Sequence, residues 1–313
     1  MSSGPESDRG GGGAPANVSL GGKESLVKNL TRLVLIASAG ALAAATARAE
    51  LVYGVTLQQT LVSWDSASPT ALLSGVAISG LQSNEVIHGI DIRPKTGEMY
   101  ALGSMNRLYK INRTTGAATQ VGPSFSTPLN GSSFGFDFNP TVDRIRVISD
   151  VDQNLRLHPD TGAVAATDTT LAYRAGDANF GANPNAVHAA YTNSFAGALS
   201  TTLYVLDTGL DVLAIQNPAN AGQLMTVGSV GTDLSDLGGF DISGLSGMAY
   251  AVVRDNALAR STFWRIDLAT GQGTMIGEIG GGSIITAMAV VPAPGSVSLL
   301  GALAFGASRR RRS

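Results

Sequence analysis

The chain has 313 residues, with 21 Lys and Arg against 23 Asp and Glu, three His and no Cys. Without cysteine there is no disulfide, no thiolate zinc site and no iron–sulfur cluster, so the fold must hold by its core alone. Five of the 21 cations precede Glu50 and four follow Ser308, against only three of the 23 acids, so residues 50–291 carry a net charge of about −8. That surface has no basic stripe with which to neutralise phosphates, which excludes nucleic acid as a partner.

The first element is a leader. Lys23, Lys28 and Arg32 precede an apolar run over residues 33–45, and Ala47-Arg48-Ala49 supplies the small-x-small pattern that signal peptidase reads. Residues 1–49 read as a signal helix behind a Gly/Ser-rich extension, and cleavage would leave Glu50 as the new N-terminus.

From residue 50 to 291 the chain repeats. Ile90-Asp91-Ile92-Arg93-Pro94 returns as Phe136-Asp137-Phe138-Asn139-Pro140 and as Phe240-Asp241-Ile242, with a degenerate copy at Ala190-Tyr191-Thr192. Counted at Asp91, the equivalents Asp137, Tyr191, Asp241 and Ala289 follow at intervals of 46, 54, 50 and 48 residues. A period near 50 built from short strands, with no sustained helical periodicity, points to all-β propeller blades of four strands each. The turns agree. Asn112-Arg113-Thr114-Thr115-Gly116, His158-Pro159-Asp160-Thr161-Gly162 and Asp267-Leu268-Ala269-Thr270-Gly271 each open on a side chain that bonds its own backbone and close on a glycine suited to positive φ.

The two ends of the array are complementary. Leu51-Val52-Tyr53-Gly54-Val55 resembles the second strand of a unit, and residues 284–291 resemble an opening strand with nothing after it. Pairing them completes five four-stranded blades and removes two open edges. The alternative is six blades, with a degenerate unit between Thr167 and Ala186.

Beyond the domain, Val291-Pro292-Ala293-Pro294 leads into an apolar stretch over residues 297–307 that ends at Arg309, Arg310, Arg311 and Arg312. Arginines hold such a helix at the cytoplasmic side of a membrane. The order resembles a PEP-CTERM sorting signal, with alanine where that motif carries glutamate. Residues 292–313 then form a short transmembrane helix, and the resemblance implies an exosortase-type protease acting near Pro292 and Pro294.

The core carries a second resemblance. The run Gly135-Phe136-Asp137-Phe138-Asn139-Pro140-Thr141-Val142-Asp143-Arg144-Ile145-Arg146-Val147, then Asn154-Leu155-Arg156-Leu157 and Asp160-Thr161-Gly162, resembles the bacterial family domain of unknown function 4394. The family implies a secreted propeller-like domain and brings no established activity or catalytic residues.

Chemistry must therefore be sought in the repeat. Asp91, Asp137 and Asp241 lie on the strands nearest the axis, where they either accept hydrogen bonds from the next blade or gather around a hard cation such as calcium. His88 and His188 share one level of the channel and are the alternative metal ligands. Period-2 spacing sets Arg144 and Arg146 on one face near Arg156, to grip a carboxylate ligand or to pair with Asp143, Asp150 and Asp152. Trp64, Tyr109 and Trp264 fall on third strands as candidate stacking platforms. No nucleophile motif and no phosphate loop rises above the repeat. The expected function is an exported, non-catalytic module at the cell surface or in an extracellular matrix, binding a polysaccharide, a protein or an ion. The alternative is an extracellular lyase or hydrolase acting on carbohydrate or ester.

Overall fold

The computed structural model describes residues 49–255 and 259–291. The signal helix with Ala47, and the segment with Pro292, Pro294, Arg309, Arg310, Arg311 and Arg312, lie outside the described residues. Among the described residues no helix is long and apolar enough to cross a membrane.

The strands arrange as five sheets around one axis. Blade 1 begins with β1 (Leu51–Thr56), β2 (Thr60–Asp65) and β3 (Ser68–Ala77); blade 2 holds β4 (Ile87–Ile92), β5 (Met99–Gly103), β6 (Arg107–Ile111) and β7 (Ala118–Val121). Blade 3 holds β8 (Phe134–Asn139), β9 (Arg144–Ser149), β10 (Asn154–Leu157) and β11 (Val164–Thr167). After the short β12 (Ala172–Tyr173), blade 4 holds β13 (Ala186–Tyr191), β14 (Leu203–Asp207), β15 (Val212–Gln216) and β16 (Gln223–Ser229). Blade 5 holds β17 (Gly238–Ile242), β18 (Ala249–Asp255), β19 (Arg260–Ile266) and β20 (Gly273–Glu278). The last strand, β21 (Ile285–Val290), returns to pair antiparallel with β1, Val52 opposite Val290 and Gly54 opposite Met288.

The five-blade reading therefore holds, with blade 1 assembled from both ends of the domain. Residues 167–186 make no sixth blade. They carry β12 along the outer edge of blade 4, where it pairs parallel with β16 as a fifth strand.

Burial explains the sequence of each layer. The inner strands have a neighbouring blade on both faces, so β8 and β13 are buried almost throughout. Outer strands alternate with solvent, as in β7 and β11. Each inner strand also carries Gly or Ala two residues before the aspartate level: Gly89, Gly135, Ala189, Gly239 and Ala287. The reason is close approach around the axis. A Cβ added at Gly89 would sit 2.5 Å from Phe136 Cβ, and one at Gly239 would sit 2.7 Å from the Met288 backbone nitrogen. Only a void of about 20 Å³ remains there. Gly239→Ala is expected to destabilise the domain by about 1–3 kcal/mol through overpacking. Denaturant unfolding should leave Gly75→Ala within about 1 kcal/mol of the parent, because nothing lies closer than 3.8 Å to that added methyl. Equal losses at both positions would remove the close-approach explanation.

The turns form as read. Asn112 Oδ1 accepts from the amides of Thr114 (2.9 Å) and Thr115 (3.0 Å), and Asp267 Oδ1 from those of Ala269 (2.8 Å) and Thr270 (3.2 Å). His158 does the same through Nδ1, which accepts from Asp160 N at 3.2 Å. Glu50 fastens the start of the ring. Its carbonyl accepts from Ser66 N at 2.9 Å, and its buried carboxylate accepts from the Ser243 and Ser246 hydroxyls of blade 5.

Candidate ligand pocket and axial carboxylates

The three repeated aspartates converge. Asp91 Oδ2 accepts from Phe138 N at 2.8 Å, Asp137 Oδ1 from Tyr191 N at 2.9 Å, and Asp241 Oδ2 from Val290 N at 2.6 Å. Each bond ties one inner strand to the next, joining blade 2 to 3, 3 to 4 and 5 to 1. Asp91 and Asp241 use their other oxygens for the amides of Ile92 and Ile242, both at 2.6 Å. All three are buried, and one oxygen from each lies within 4.8 Å of the others. Among the described ion pairs no lysine or arginine reaches them. Burial, and after it mutual repulsion, holds Asp91 and Asp137 well above the ordinary carboxyl range. Burial pushes Asp241 up to about 7. Protons are thus held where three bare charges would repel.

The arginines form a different kind of site. Period 2 on β9 puts Arg144 and Arg146 on one face, and the β9/β10 register sets Arg146 opposite Arg156. Two guanidinium groups side by side would repel; Asp168 separates them. It accepts from Arg146 Nη1 at 2.6 Å and from Arg156 Nε and Nη2, both at 2.8 Å. Burial works against ionisation of Asp168, but the Arg156 and Arg146 hydrogen bonds outweigh it and hold the carboxyl below its ordinary range. Arg146 also donates to Asn154 and Asn220, each at 2.7 Å, and to the Tyr191 hydroxyl at 3.4 Å.

Arg144 differs. It donates only to the carbonyls of Val142 (3.4 Å) and Asp143 (2.9 Å) and meets no carboxylate among the described residues. Together with Asn139, Tyr191 and Asn220 the three arginines line a cavity of about 330 Å³ between blades 3 and 4. Two of these cations share one anion, and the third has none among the described residues.

The expected partners Asp143, Asp150 and Asp152 are engaged elsewhere. Asp143 takes the buried Arg93 in two hydrogen bonds, Nε at 2.7 Å and Nη2 at 2.5 Å, and Arg93 also reaches Asp160 at 2.6 Å. Asp150 accepts from Ser132 N at 2.9 Å. Asp152 Oδ1 is buried without a hydrogen bond, and burial with the nearby Asp207 charge pushes that carboxyl up to about 6. Sequence reasoning missed Asp168, which follows β11, and Asn220, in the 3-10 turn between β15 and β16, because they lie 22 and 74 residues from Arg146.

The family model described as "Domain of unknown function (DUF4394)" matches residues 60–289. The chain belongs to the DUF4394 family. No curated protein matches it significantly. Several solved structures resemble the DUF4394 domain at low identity. Hydrazine synthase from Kuenenia stuttgartiensis shares 11% identity at a TM-score of 0.38, over 64% of this chain and 53% of that one. A structural-genomics protein from Lactobacillus plantarum shares 17% at 0.39, over 77% and 71%. TolB from Acinetobacter baumannii shares 14% at 0.42, over 78% and 67%. The chain thus spans about half of the first of these, and at such scores none speaks to its chemistry.

Within the DUF4394 domain the remaining candidates are dispersed. His88 and His188 line a cavity of about 170 Å³ at the opposite mouth of the axis, with Ser132, Ser133, Asp236 and Thr286. They lie three residues before the aspartate level of their strands and do not join the carboxylate group, which contains Asp91, Asp137 and Asp241 alone. His88 packs on Phe134 with ring centroids 5.0 Å apart, and His188 Nε2 lies 3.0 Å from the Ser235 carbonyl. Burial lowers the pKa of both rings, which keeps them neutral at pH 7. Trp64 and Tyr109 are fully buried and offer no platform. Trp264 is half-buried beside a cavity of about 420 Å³ on blade 5, next to the Arg260–Glu278 pair at 2.6 Å.

Proposed function

We propose that this propeller is an exported, non-catalytic binding module of the bacterial cell exterior, and that the pocket between blades 3 and 4 takes carboxylate groups of an acidic polysaccharide. One observation carries the reading: among the described residues Arg144 meets no carboxylate, beside two further guanidinium groups that share Asp168. A cavity of about 330 Å³ fits one or two sugar rings, Asn139, Asn220 and Tyr191 supply hydroxyl partners, and the fork of Arg144 suits a carboxylate. The lyase or hydrolase alternative has less support here. Of the groups there that could serve as general acid or base, Asp168 is held ionised and occupied by both neighbouring guanidinium groups, and the Tyr191 hydroxyl accepts from Arg146. The domain would reach the exterior through signal peptidase at Ala49, and an exosortase-type protease would act near Pro292 and Pro294.

We assign the axial aspartates to ring closure in preference to calcium. Calcium takes six to eight oxygens, whereas both oxygens of Asp91 and of Asp241 already accept amide donors.

Arg144→Ala is expected to weaken binding of polyuronate oligosaccharides roughly 10- to 100-fold, the worth of a charge-assisted pair. Arg144→Lys should recover little, because an ammonium lacks the fork. Titration calorimetry against charged and neutral oligosaccharides of equal length decides the matter. Equal affinity for the two, or no response to Arg144→Ala, would overturn the reading.

A further inference from the structure

A cavity of about 420 Å³ lies between blade 5 and the 230–237 connection that joins it to blade 4. Trp264 on β19 forms one wall, and its ring is fixed in place. The indole Nε1 donates to Thr262 Oγ1 at 2.8 Å, and that hydroxyl donates to the Val253 carbonyl at 3.0 Å. Another edge of the ring rests on Gly273, where an added Cβ would sit 3.2 Å from Trp264 Cε3. A ring held this way gives up little freedom when a ligand covers it.

The matching position in blade 2 shows why Trp264 is open. Tyr109 stands opposite Ala101 as Trp264 stands opposite Ala251, yet Tyr109 is fully buried. Its hydroxyl donates to Glu85 at 2.5 Å, and Glu85 belongs to the connection that enters blade 2. In the corresponding connection of blade 5, the Val230 and Leu234 amides donate to the carbonyl and carboxylate of Asp211 in blade 4, at 2.9 and 2.8 Å. The connection is thereby held to blade 4, and Trp264 stays only half-buried beside the cavity it lines.

The remaining wall is of two kinds. Val253, Thr262 and Met275 give apolar surface beside the indole, Met275 standing opposite Trp264. Asp233, Arg260 and Glu278 offer charged acceptors and donors, with Arg260 and Glu278 paired at 2.6 Å. A wholly apolar ligand would strip water from these charges without replacing its hydrogen bonds. A carboxylate is disfavoured, since Asp233, Asp255 and Glu278 outnumber Arg254 and Arg260 on the lining. An ammonium group only donates, and it would meet the Arg260 charge. Hydroxyl groups both donate and accept, so an uncharged pyranose suits both kinds of wall.

We infer that this cavity is a second sugar site, in which an uncharged pyranose ring stacks on Trp264 and its hydroxyl rim meets Asp233, Arg260 and Glu278. The volume holds about two such rings. The site shares a ligand class with the Arg144 pocket but none of its residues, so each reading stands or falls alone.

Fluorescence of the full chain reads the contact directly, because the only other tryptophan, Trp64, is fully buried and out of reach of acrylamide. Neutral hexasaccharides of glucose, mannose and galactose are titrated at millimolar concentration, beside hexagalacturonate and a glucosamine hexamer as acidic and cationic counterparts. The expected result is that a neutral hexasaccharide protects Trp264 from acrylamide and shifts its emission, whereas hexagalacturonate does neither. In calorimetry Trp264→Ala should weaken that neutral ligand by about tenfold and leave hexagalacturonate unchanged, and Arg144→Ala should do the reverse. Comparison of charged with neutral oligosaccharides in Trp264→Ala then reports on the Arg144 pocket alone. The protection measurement uses the unaltered chain, so it decides even where Trp264→Ala folds poorly. Protection by none of the neutral hexasaccharides would overturn the inference, as would undiminished neutral binding in a folded Trp264→Ala. Protection by the glucosamine hexamer alone would overturn it too, and would assign the cavity to an ammonium group.

Discussion

Truncation after Gly282 is expected to abolish the cooperative unfolding transition, whereas truncation after Val291 leaves it intact. The shorter chain loses β21, the inner strand of blade 1 that the other end of the domain cannot replace. Ile285, Met288 and Val290 are each at most 4% exposed, and burying side chains of this size contributes about 2 kcal/mol apiece. The ladder from Val52 opposite Val290 to Thr56 opposite Ile285 adds several hydrogen bonds at about 1 kcal/mol each. Together these approach the whole stability of a typical domain, about 5–15 kcal/mol. The truncation also leaves β1 with an open edge, takes the Val290 amide from Asp241 and uncovers the flanks of β4 and β17. Thermal unfolding followed by near-ultraviolet circular dichroism, with dye binding to exposed apolar surface, reports the loss. A sharp transition with unchanged midpoint in the Gly282 truncation would show that closure by the two ends does not stabilise the ring.

The number of blades was legible because one aspartate per unit survives in three of five copies and its spacing fixes the period. The split blade was legible from a mismatch: a strand of second type at the start and one of first type at the end. The reason for glycine two residues before the aspartate was not. Gly89, Gly135 and Gly239 were in plain view within the repeat, but the constraint on each comes from a strand about 50 residues away. The arginine pocket was half legible. The alternation of Arg144 and Arg146 predicted a shared face, whereas Asp168 lies across a hairpin at no helical or strand spacing from either partner. Equal register placed His88 and His188 at one level, and they line one cavity with Phe134 of the intervening blade, but that register gave no sign that His88 packs on Phe134 and that His188 meets the Ser235 carbonyl. The β12 strand, two residues long, has no period to read.

Stability is expected to fall as pH rises from about 6.5 to about 7.5 in the absence of divalent cations, a trend opposite to that of most acidic domains. A carboxyl whose folded pKa lies above its unfolded value contributes stability that is fully present below pH 4 and is lost as pH rises through the folded pKa. Asp91, Asp137 and Asp241 all titrate above the ordinary carboxyl range, Asp241 at about 7, and Asp152 is raised the same way to about 6. The carboxylates lowered by basic partners or hydrogen bonds, Glu98, Asp143, Asp160, Asp168 and Asp177, are already ionised and contribute no opposing slope in this window, whereas His88 and His188, lowered by burial, contribute stability that rises with pH up to about 6.5 and offset the fall below it. A tenfold difference in proton affinity between the folded and unfolded chain corresponds to about 1.4 kcal/mol, so an axial carboxyl that keeps its proton costs up to about 1.4 kcal/mol per pH unit in this window. In a domain of this size each such loss lowers the melting midpoint by roughly 3–6 °C. Asp137→Asn keeps an acceptor for Tyr191 N and removes one charge, so its midpoint should exceed the parent's at pH 7.5 and vary less with pH. Asp241→Ala leaves the amides of Val290 and Ile242 without acceptors and should cost about 1–3 kcal/mol at every pH. Calcium provides the opposing arm of the test. An ion binding the deprotonated trio would raise the parent's midpoint at pH 7.5, leave it unchanged at pH 5, and have no effect on Asp137→Asn. That pattern would assign the axis to a metal, whereas a slope indifferent to calcium assigns it to carboxyl groups that keep their protons in order to close the ring.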